Sequence, residues 1–383
     1  MKHEVEITSL ANGGDGVCRV DGQVCFVPYA LPGDRVTIDI EAKTHGVLRG
    51  TIQELLESST HRSEAPCSVF GKCGGCTWLH FDYPAQAEWK CRIVRDCFSR
   101  IGKLDVEVAW VDDETLRMGY RTRATFRGDG SRWGFYEARS HDVVDIQECP
   151  LCHPKLNAAF QSLRSTTVNG QVEIAVNPEG DEVLVWSKRS HSVLKKLFPL
   201  ADARDDGGRR SSFLFDGVPI VNGSFAQSSL RLNRVLVGHV HGLIGNATSL
   251  LDLYCGTGNF SQSLSDRMHV VGLDHDGAAI VAAGQTQRGE YRIGDEEEFT
   301  AHIGAQAWDV ILLDPPRAGA KRIMSALAGS DAGTIIYVSC GPGTLARDAA
   351  TLVRGGWALE GVTVVDMFPN TSHIECVAHL VRA

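Results

Sequence analysis

Two residues in the C-terminal part of the chain have types that suit covalent chemistry. Cys340 follows the apolar run 334–338 and stands in Ser339-Cys340-Gly341-Pro342, and Glu375 follows in His373-Ile374-Glu375. A thiol at the C-terminal tip of a strand, followed by a turn that cannot continue the strand, is displayed rather than packed. Such a thiol can act as a nucleophile, and a carboxylate near it can take up a proton.

Both residues also have ordinary structural interpretations. Unpaired cysteines are usually buried and inert, so Cys340 on its own could be a small core side chain. Glu375 could be a surface acid near the final strand. The motifs around these residues favour a functional interpretation over a structural one.

A second constellation is a glycine loop with acids on neighbouring strands. Gly256 and Gly258 stand in the motif 252–260 after an apolar strand, Asp274 ends the next strand, and Asp314 ends a further strand in Asp-Pro-Pro-Arg. Glycines allow a tight turn and close approach of a ligand, while a carboxylate such as Asp274 can bind both ribose hydroxyls. The loop resembles the first motif of S-adenosylmethionine-dependent methyltransferases. A generic tight turn is the structural alternative.

Alternating strands and helices beyond residue 226 must position these groups. Apolar strands are predicted at 250–253, 270–273, 310–313 and 335–338, with helical segments between them. This alternation predicts a parallel sheet covered by helices. We therefore expect an α/β fold with a Rossmann-like C-terminal domain over residues 226–383, and a central α+β domain over residues 58–225.

The N-terminal residues 1–57 read instead as short strands separated by glycine turns, which is typical of a small barrel. Three stretches, 13–17, 21–28 and 31–34, resemble the TRAM domain, an OB-like RNA-binding barrel. RNA is therefore the expected partner. The arginines and aromatic residues that alternate over 117–139 could neutralise phosphates and stack on bases, or they could form a solvated strand face over an aromatic core.

The twelve cysteines occur in a chain with no recognisable export signal, which argues against a disulfide framework. Cys67, Cys73 and Cys76 form the densest group, and the two glycines between the last two would let the chain curl around an inorganic centre. A fourth ligand is required. Cys152 could complete a zinc site with Cys73, Cys76 and Cys149. The packing cysteines are expected to be Cys18, Cys25, Cys91, Cys97, Cys255 and Cys376.

Taken together, the motifs resemble the RNA uridine-5-methyltransferase family, which joins a TRAM barrel, an iron-sulfur region and a class I methyltransferase domain. The resemblance implies Cys149 as the fourth ligand of a [4Fe-4S] cluster. It also implies that S-adenosyl-L-methionine is bound by Gln227, Tyr254, Asn259, Asp274 and Asp314. The family often has Glu in place of Asp274, and its adenine contact is not placed clearly around Gly294-Asp295.

The chemistry of that family accounts for these residue types. Uracil C5 is a weak nucleophile, so a thiolate, here Cys340, first adds to C6 and makes C5 enolate-like. C5 then takes the sulfonium methyl group, and Glu375 removes the remaining C5 proton so that the thiolate can leave. His373 is expected to support the loop. Ribosomal RNA is the expected substrate, with two alternatives: a transfer RNA uridine-5-methyltransferase, or a non-catalytic, redox-sensitive RNA-binding protein or chaperone.

The composition is that of an ordinary globular protein, with 43% hydrophobic residues and a formal net charge of −9. No apolar run approaches the length of a membrane span, and the N-terminus lacks the basic and then apolar pattern of a signal peptide. We therefore expect a cytoplasmic protein. No obligate protein partner and no membrane partner is evident from the sequence.

Overall fold

The computed structural model describes residues 2–44, 46–207 and 210–383. The N-terminal part is a six-stranded sheet in the order β1-β5-β6-β4-β3-β2, whose strands curl around a core of Ile7, Cys25, Val36 and Ile38. Short strands with alternating buried and exposed residues form it, as expected for a barrel with one apolar face. The strands are β1 Lys2–Glu6, β2 Ser9–Leu10, β3 Gly16–Val20, β4 Gln23–Val27, β5 Arg35–Thr44 and β6 Val47–Glu57.

The central part holds a second sheet, in the order β10-β9-β8-β11-β12-β13, and a separate hairpin of β14 and β15. Helix α2 covers the sheet, and Phe126 and Phe160 stack in the core between them with ring centroids 4.1 Å apart. The elements are α1 Tyr83–Cys97, a π-helical turn Phe98–Gly102, β7 Val108–Val111, β8 Arg123–Asp129, β9 Trp133–Tyr136, β10 Val143–Asp145, α2 Pro154–Arg164, β11 Asn169–Val176, β12 Val183–Ser187, α3 Ser192–Leu197, β13 Leu200–Ala203, β14 Ser212–Phe215 and β15 Val218–Val221.

The C-terminal part is an eight-stranded sheet in the order β18-β17-β16-β19-β20-β22-β21-β7. Its elements are α4 Leu230–Ile244, β16 Ser249–Leu253, a 3₁₀ turn Gln262–Leu264, β17 His269–Asp274, α5 Gly277–Gln285, β18 Glu290–Ile293, α6 Glu296–Ile303, β19 Val310–Leu313, α7 Met324–Ala328, β20 Thr334–Ser339, α8 Pro342–Arg354, β21 Trp357–Val365 and β22 Glu375–Arg382.

Both faces of this sheet are buried, which explains why its strands are continuous apolar runs. On β20, Ile335 and Tyr337 face the core formed with α1 and α8, whereas Ile336 and Val338 face the core formed with α4. Strands β16 to β20 are parallel, as predicted from the sequence. The last strand, β22, is antiparallel to β20 because β21 and β22 form a hairpin rather than a crossover unit.

The division of the chain near residues 57 and 225 remains a prediction, and the structure adds a connection across it. Strand β7 lies within the range 58–225 but pairs in parallel with β21, as the outermost strand of the C-terminal sheet. Helix α1 packs on the same sheet through Trp89, Ile93 and Val94. In the part of the chain that the structure describes, no helix is long and apolar enough to cross a membrane.

Candidate functional site

The residues predicted to bind or react lie along one edge of the C-terminal sheet. Chain order runs outward from β16 to β18 on one side and from β19 to β20 on the other, so β16 and β19 flank a topological switch point. Ligands of open α/β sheets bind at this place, outside the carboxyl ends of the strands. The residues directly after those strands are Tyr254 (β16), Asp314 (β19) and Cys340 (β20), and Asp274 ends β17.

Strand register brings Cys340 and Glu375 together. Ser339, the last residue of β20, is the Cα partner of Cys376 in β22, so the next position along each strand places Cys340 beside Glu375. The Cys340 side chain is partly exposed, whereas Glu375 is buried. The structure therefore places a partly exposed thiol next to a buried carboxyl group, and the catalytic roles of the two residues stay a prediction.

The electrostatics of this pair follow from burial and mutual charge. Burial raises the pKa of Glu375 well above its ordinary value, and the charge of Asp314 raises it further. Burial also raises the pKa of the Cys340 thiol, with an added contribution from Glu375. Helix α8 begins just after Cys340, at Pro342, and the positive end of its dipole favours a thiolate.

Arg317 lies next to this pair in the sequence motif after β19, and the sequence analysis assigned it no role. Burial raises the pKa of both Cys340 and Glu375, and the positive charge of the Arg317 guanidinium group opposes that rise at each of them. The signal was present in the sequence, since Arg317 closes the Asp-Pro-Pro-Arg motif after β19. Arg317 is thus a cation whose charge acts on both Cys340 and Glu375.

Tyr291 packs closely beneath the glycine loop after β16. Gly258 has a left-handed φ of 80°, and a Cβ atom there would lie 2.7 Å from the Tyr291 hydroxyl oxygen. Ser261 Oγ lies 2.9 Å from the same hydroxyl and donates to the buried Asp252 at 2.6 Å. Burial raises the pKa of Asp252 to about 7. The loop therefore rests on a hydrogen-bonded chain that requires glycine at position 258.

Replacing Gly258 by alanine should weaken S-adenosylmethionine binding about tenfold or more, since a loss of about 1.4 kcal/mol corresponds to one factor of ten. Both the strained φ and the contact with Tyr291 would contribute. Calorimetric titration with the cofactor measures this effect. Gly245→Ala is the matched control, because Gly245 is also left-handed, at φ 57°, but has open space around it. Equal affinities for the two variants would contradict the role of the loop.

The acids predicted to bind the cofactor are held in defined positions. Asp274 accepts hydrogen bonds from the backbone amides of Gly256, at 2.8 Å, and Asp276, at 2.7 Å. Burial and the charge of Asp274 raise the pKa of Asp314 above its ordinary range. Asp295, near the unplaced adenine contact, caps helix α6 by accepting from Glu297 N at 2.9 Å.

The two predicted amide residues lie near α4, at the same edge. Asn259 exchanges two side-chain hydrogen bonds with Asn233 of α4, at 2.7 and 3.1 Å. Asn233 was not foreseen, since nothing in its local sequence marks it. Gln227 is buried just before Ser229, the residue that caps α4. His373 is exposed, and its ring centroid lies 5.4 Å from that of Phe368 in the same loop.

Cys67, Cys73, Cys76 and Cys149 border one small cavity, together with Val69, Phe70 and Phe135. The Gly75 amide donates to the sulfur of Cys73 at 3.4 Å. Cys152 is buried and does not border that cavity. Within residues 2–44, 46–207 and 210–383, no group of three or more His, Cys, Asp or Glu side chains is arranged to hold a metal ion. The six cysteines expected to pack are all buried.

The stretch of arginines and aromatics divides between core and surface. Tyr120, Phe126 and Trp133 are buried, in agreement with an aromatic core face. Other members line a cleft of about 1140 Å³ between the N-terminal barrel and the central sheet. Arginine and aromatic side chains there could hold phosphates and bases. Members of this cleft include Tyr29, Arg49, Arg127, Phe135, Tyr136 and Arg139.

Comparison with known proteins places these features in a family. A TRAM domain model matches residues 2–52, and a model of tRNA (uracil-5-)-methyltransferase matches residues 298–383. The chain is 30% identical to the 23S rRNA (uracil(1939)-C(5))-methyltransferase RlmD of Chromohalobacter salexigens, over 99% of this chain and 89% of that protein. The RlmD of Methylococcus capsulatus is 31% identical, over 97% of this chain and 95% of that protein.

A solved structure gives the same result for the whole fold. The tRNA (uracil-54, C5)-methyltransferase of Pyrococcus abyssi, in complex with S-adenosyl-L-homocysteine, superposes with a TM-score of 0.78 at 25% identity, covering 99% of each chain. The glycine loop, the acids at the switch point and the cysteine at the end of β20 are thus found in a chain related along its full length to uracil-modifying enzymes. This chain belongs to the family of TRAM-containing, S-adenosylmethionine-dependent RNA uracil-C5-methyltransferases.

Proposed function

We propose that the protein methylates C5 of a uridine in ribosomal RNA, with Cys340 as the nucleophile and Glu375 as the base. The observation that carries this proposal is the placement of a displayed thiol beside a buried carboxyl group at the cofactor edge of the sheet. The proposed site combines a covalent catalyst and a proton acceptor. The same edge holds the proposed cofactor residues Gln227, Tyr254, Asn259, Asp274 and Asp314.

Each residue has a defined part in the reaction. Cys340, as a thiolate, forms a bond to C6, and the electron pair of the C5–C6 double bond becomes available at C5. S-adenosylmethionine, when bound, would supply the methyl group that C5 takes up, and its sulfonium–methyl bond would break to leave S-adenosylhomocysteine. Glu375 then accepts the C5 proton, the C5–C6 double bond re-forms, and the thiolate leaves C6. Arg317 stabilises the thiolate before and after the reaction.

The cleft between barrel and central sheet supports RNA as the substrate. Its arginines can neutralise phosphates, and Tyr136 and Phe135 offer rings on which bases can stack. Arg127 lies over the Tyr136 ring, 4.7 Å from its centroid, so one face of that ring is already covered by a cation. The target base must leave any helix to bring C6 to the thiol, as is usual for enzymes that act on bases.

The choice of ribosomal RNA follows the relatives named 23S rRNA methyltransferases. The names of the C-terminal family model and of the Pyrococcus abyssi structure refer to transfer RNA instead. Mapping 5-methyluridine in a strain that lacks the gene decides between them. We expect one ribosomal position to lose its methyl group and to regain it on complementation. Loss from transfer RNA alone would overturn the choice of substrate.

Variants of Arg317 test how the rate of methyl transfer depends on pH. Reaction requires the thiolate, and burial raises the pKa of the Cys340 thiol while the charge of Arg317 opposes that rise, so the rate should increase with pH as the thiol ionises. Arg317→Gln removes the positive charge and raises that pKa. The rising limb of the rate profile should therefore move to higher pH, while Arg317→Lys should shift it less. Single-turnover rates measured against pH test this, and an unchanged limb in Arg317→Gln would contradict it.

We also propose that Cys67, Cys73, Cys76 and Cys149 hold a [4Fe-4S] cluster. The four thiols border one cavity, and the Gly75 amide already donates to Cys73 Sγ, as amides near iron-sulfur clusters do. Each thiolate of a cubane binds a different iron, so its ligands lie further apart than those of a single ion. Cys149 borders this cavity and Cys152 does not, which favours Cys149 as the fourth ligand.

Anaerobically purified protein should be brown and contain iron and sulfide in equal amounts. Cys73→Ser should lose the colour and some thermal stability, because a site that holds the chain together contributes folding free energy. Cys91→Ala is the control, since Cys91 is a buried packing residue on α1. Iron analysis, visible absorbance and thermal melting are the measurements. Zinc in stoichiometric amount without iron would contradict the cluster.

A further inference from the structure

The segment 366–374 connects β21 to β22 and leads directly into Glu375. It has no helix or strand of its own, yet much of it is buried, including Asp366, Met367, Asn370 and Thr371. A buried loop must have its polar groups satisfied by other parts of the molecule. The residues that satisfy them come from distant parts of the chain.

Asp366 is held from helix α1. Lys90 Nζ donates to Asp366 Oδ1 at 2.7 Å and to the carbonyl of Phe368 at 3.0 Å. The Tyr83 hydroxyl donates to the other oxygen of Asp366 at 2.7 Å. The side chains of Lys90 and Asp366 are 0% and 1% exposed, so this ion pair is fully desolvated. Asp366 directly follows Val365, the Cα partner of Glu375.

Asn370 is held from the same helix by a reciprocal pair. The backbone N–H of Asn370 donates to Gln86 Oε1 at 2.9 Å, and the side-chain Nε2 of Gln86 donates to Asn370 Oδ1 at 3.0 Å. Asn370 Nδ2 also donates to the carbonyl of Arg117 at 2.7 Å. The residue has a left-handed φ of 63°, a conformation that asparagine tolerates better than most residues.

The cysteine-rich segment contacts the same loop. Trp78 N donates to the carbonyl of Asn370 at 3.2 Å, and Ser372 N donates to the Thr77 hydroxyl at 3.1 Å. Thr77 and Trp78 directly follow Cys76 in the sequence. The loop that ends at Glu375 is therefore held by α1 on one side and by the cysteine-rich segment on the other.

We infer that Gln86, Lys90 and Asn370 are positioning residues for Glu375: they fix the loop that sets the start of β22 and so hold the carboxyl group where it can reach the C5 proton. A general base must lie within hydrogen-bond reach of its proton, and a displacement of about 1 Å can cost about 10²-fold in rate. The inference rests on the roles proposed for Cys340 and Glu375. We call Gln86, Lys90 and Asn370 the brace. The inference is that the brace affects the removal of the C5 proton and does not affect the earlier steps.

The test separates proton removal from the earlier steps. Asn370→Gly keeps the left-handed backbone without strain and deletes the side-chain hydrogen bonds to Gln86, Arg117 and Met118. Gln86→Leu removes the hydrogen-bond partner on α1 instead. Each variant is assayed for turnover on a 23S rRNA transcript and for covalent adduct on the same transcript made with 5-fluorouridine. Fluorine replaces the C5 proton, so this adduct forms by thiolate addition and methyl transfer and cannot be resolved by a base.

We expect about a 10²-fold loss of turnover in Asn370→Gly and Gln86→Leu, with adduct formation on the fluorinated RNA within about twofold of wild type. Asn177→Gly is the matched control, because Asn177 is a buried asparagine with two side-chain hydrogen bonds in the turn after β11. It should leave both rates unchanged.

Unchanged turnover in both variants would overturn the inference. So would parallel losses of turnover and of adduct formation, which indicate general damage to the domain. If wild-type protein forms no adduct with the fluorinated RNA, or if Cys340→Ala forms one, the proposed roles of Cys340 and Glu375 fail instead. The outcomes for the brace and for the covalent mechanism are thus distinguishable.

Discussion

Cys340→Ala should abolish turnover and covalent adduct formation, with a rate at least about 10³-fold below wild type. Without the thiolate, nothing adds to C6, and C5 remains too weak a nucleophile to accept the methyl group. Cofactor binding should be unchanged, because the proposed cofactor residues follow β16 and β19, end β17 or precede α4, and none lies on β20. Transfer of labelled methyl from S-adenosylmethionine to RNA, together with a cofactor titration, measures both effects.

A buried cysteine elsewhere gives the control for this substitution. Cys97 lies in α1 and is 8% exposed, so Cys97→Ala removes a sulfur of the same size from a packed site. It should cost about 1 kcal/mol of stability and leave turnover near wild type. Methyl transfer by Cys340→Ala at a rate close to wild type would remove the covalent step from the mechanism.

Glu375→Gln should give a different phenotype, in which the methyl group is transferred but the product is not released. The amide cannot accept the C5 proton, so the methylated adduct cannot eliminate the Cys340 thiolate. Loss of general-base catalysis corresponds to about 10² to 10⁴-fold in turnover. Glutamine preserves the size of the side chain at this buried position. Denaturing gels with labelled methyl groups should show RNA attached to protein.

The surface acid Glu360 provides the comparison for this variant. Glu360 lies on β21 and is exposed, so Glu360→Gln makes the same change from carboxylate to amide at a position in contact with solvent. That variant should turn over normally and leave no adduct. Normal turnover by Glu375→Gln would exclude Glu375 as the base and require another acceptor for the C5 proton.

The parts of this fold that were predictable are those with local signals. Apolar runs such as 310–313 and 335–338 are strands of the parallel sheet because both of their faces are buried. Asp314 and Cys340 could be placed at one edge, since the carboxyl ends of parallel strands coincide there. The glycine loop was recognisable because a tight turn at Gly258 demands that residue type.

Other features depend on contacts between distant residues. Glu375 lies beside Cys340 because β21 and β22 form an antiparallel hairpin. A repeating strand-helix pattern does not predict that hairpin. Gln86 and Asn370 are 284 residues apart in sequence, and neither belongs to a motif. Strand β7 joins the C-terminal sheet although it precedes that domain by more than one hundred residues. Tertiary packing decides such pairings, and local propensity does not.

The four cysteines illustrate an intermediate case. Their spacing indicated an inorganic centre, and the structure adds that Cys67, Cys73, Cys76 and Cys149 border one cavity while Cys152 does not. Spacing alone left Cys149 and Cys152 equivalent. Their separation in the structure comes from the turn in which Cys152 N donates to the carbonyl of Cys149 at 3.0 Å.

The covalent bond between Cys340 and uracil C6 is the central claim, and mass spectrometry of the trapped complex tests it most directly. Wild-type protein is incubated with S-adenosylmethionine and 5-fluorouridine-containing 23S rRNA transcript, and the adduct is digested with protease and nuclease. We expect a single modified peptide that contains Cys340 and carries one methylated fluorouridine nucleotide. The same nucleotide on another cysteine, or a fully methylated product with no adduct, would contradict the account.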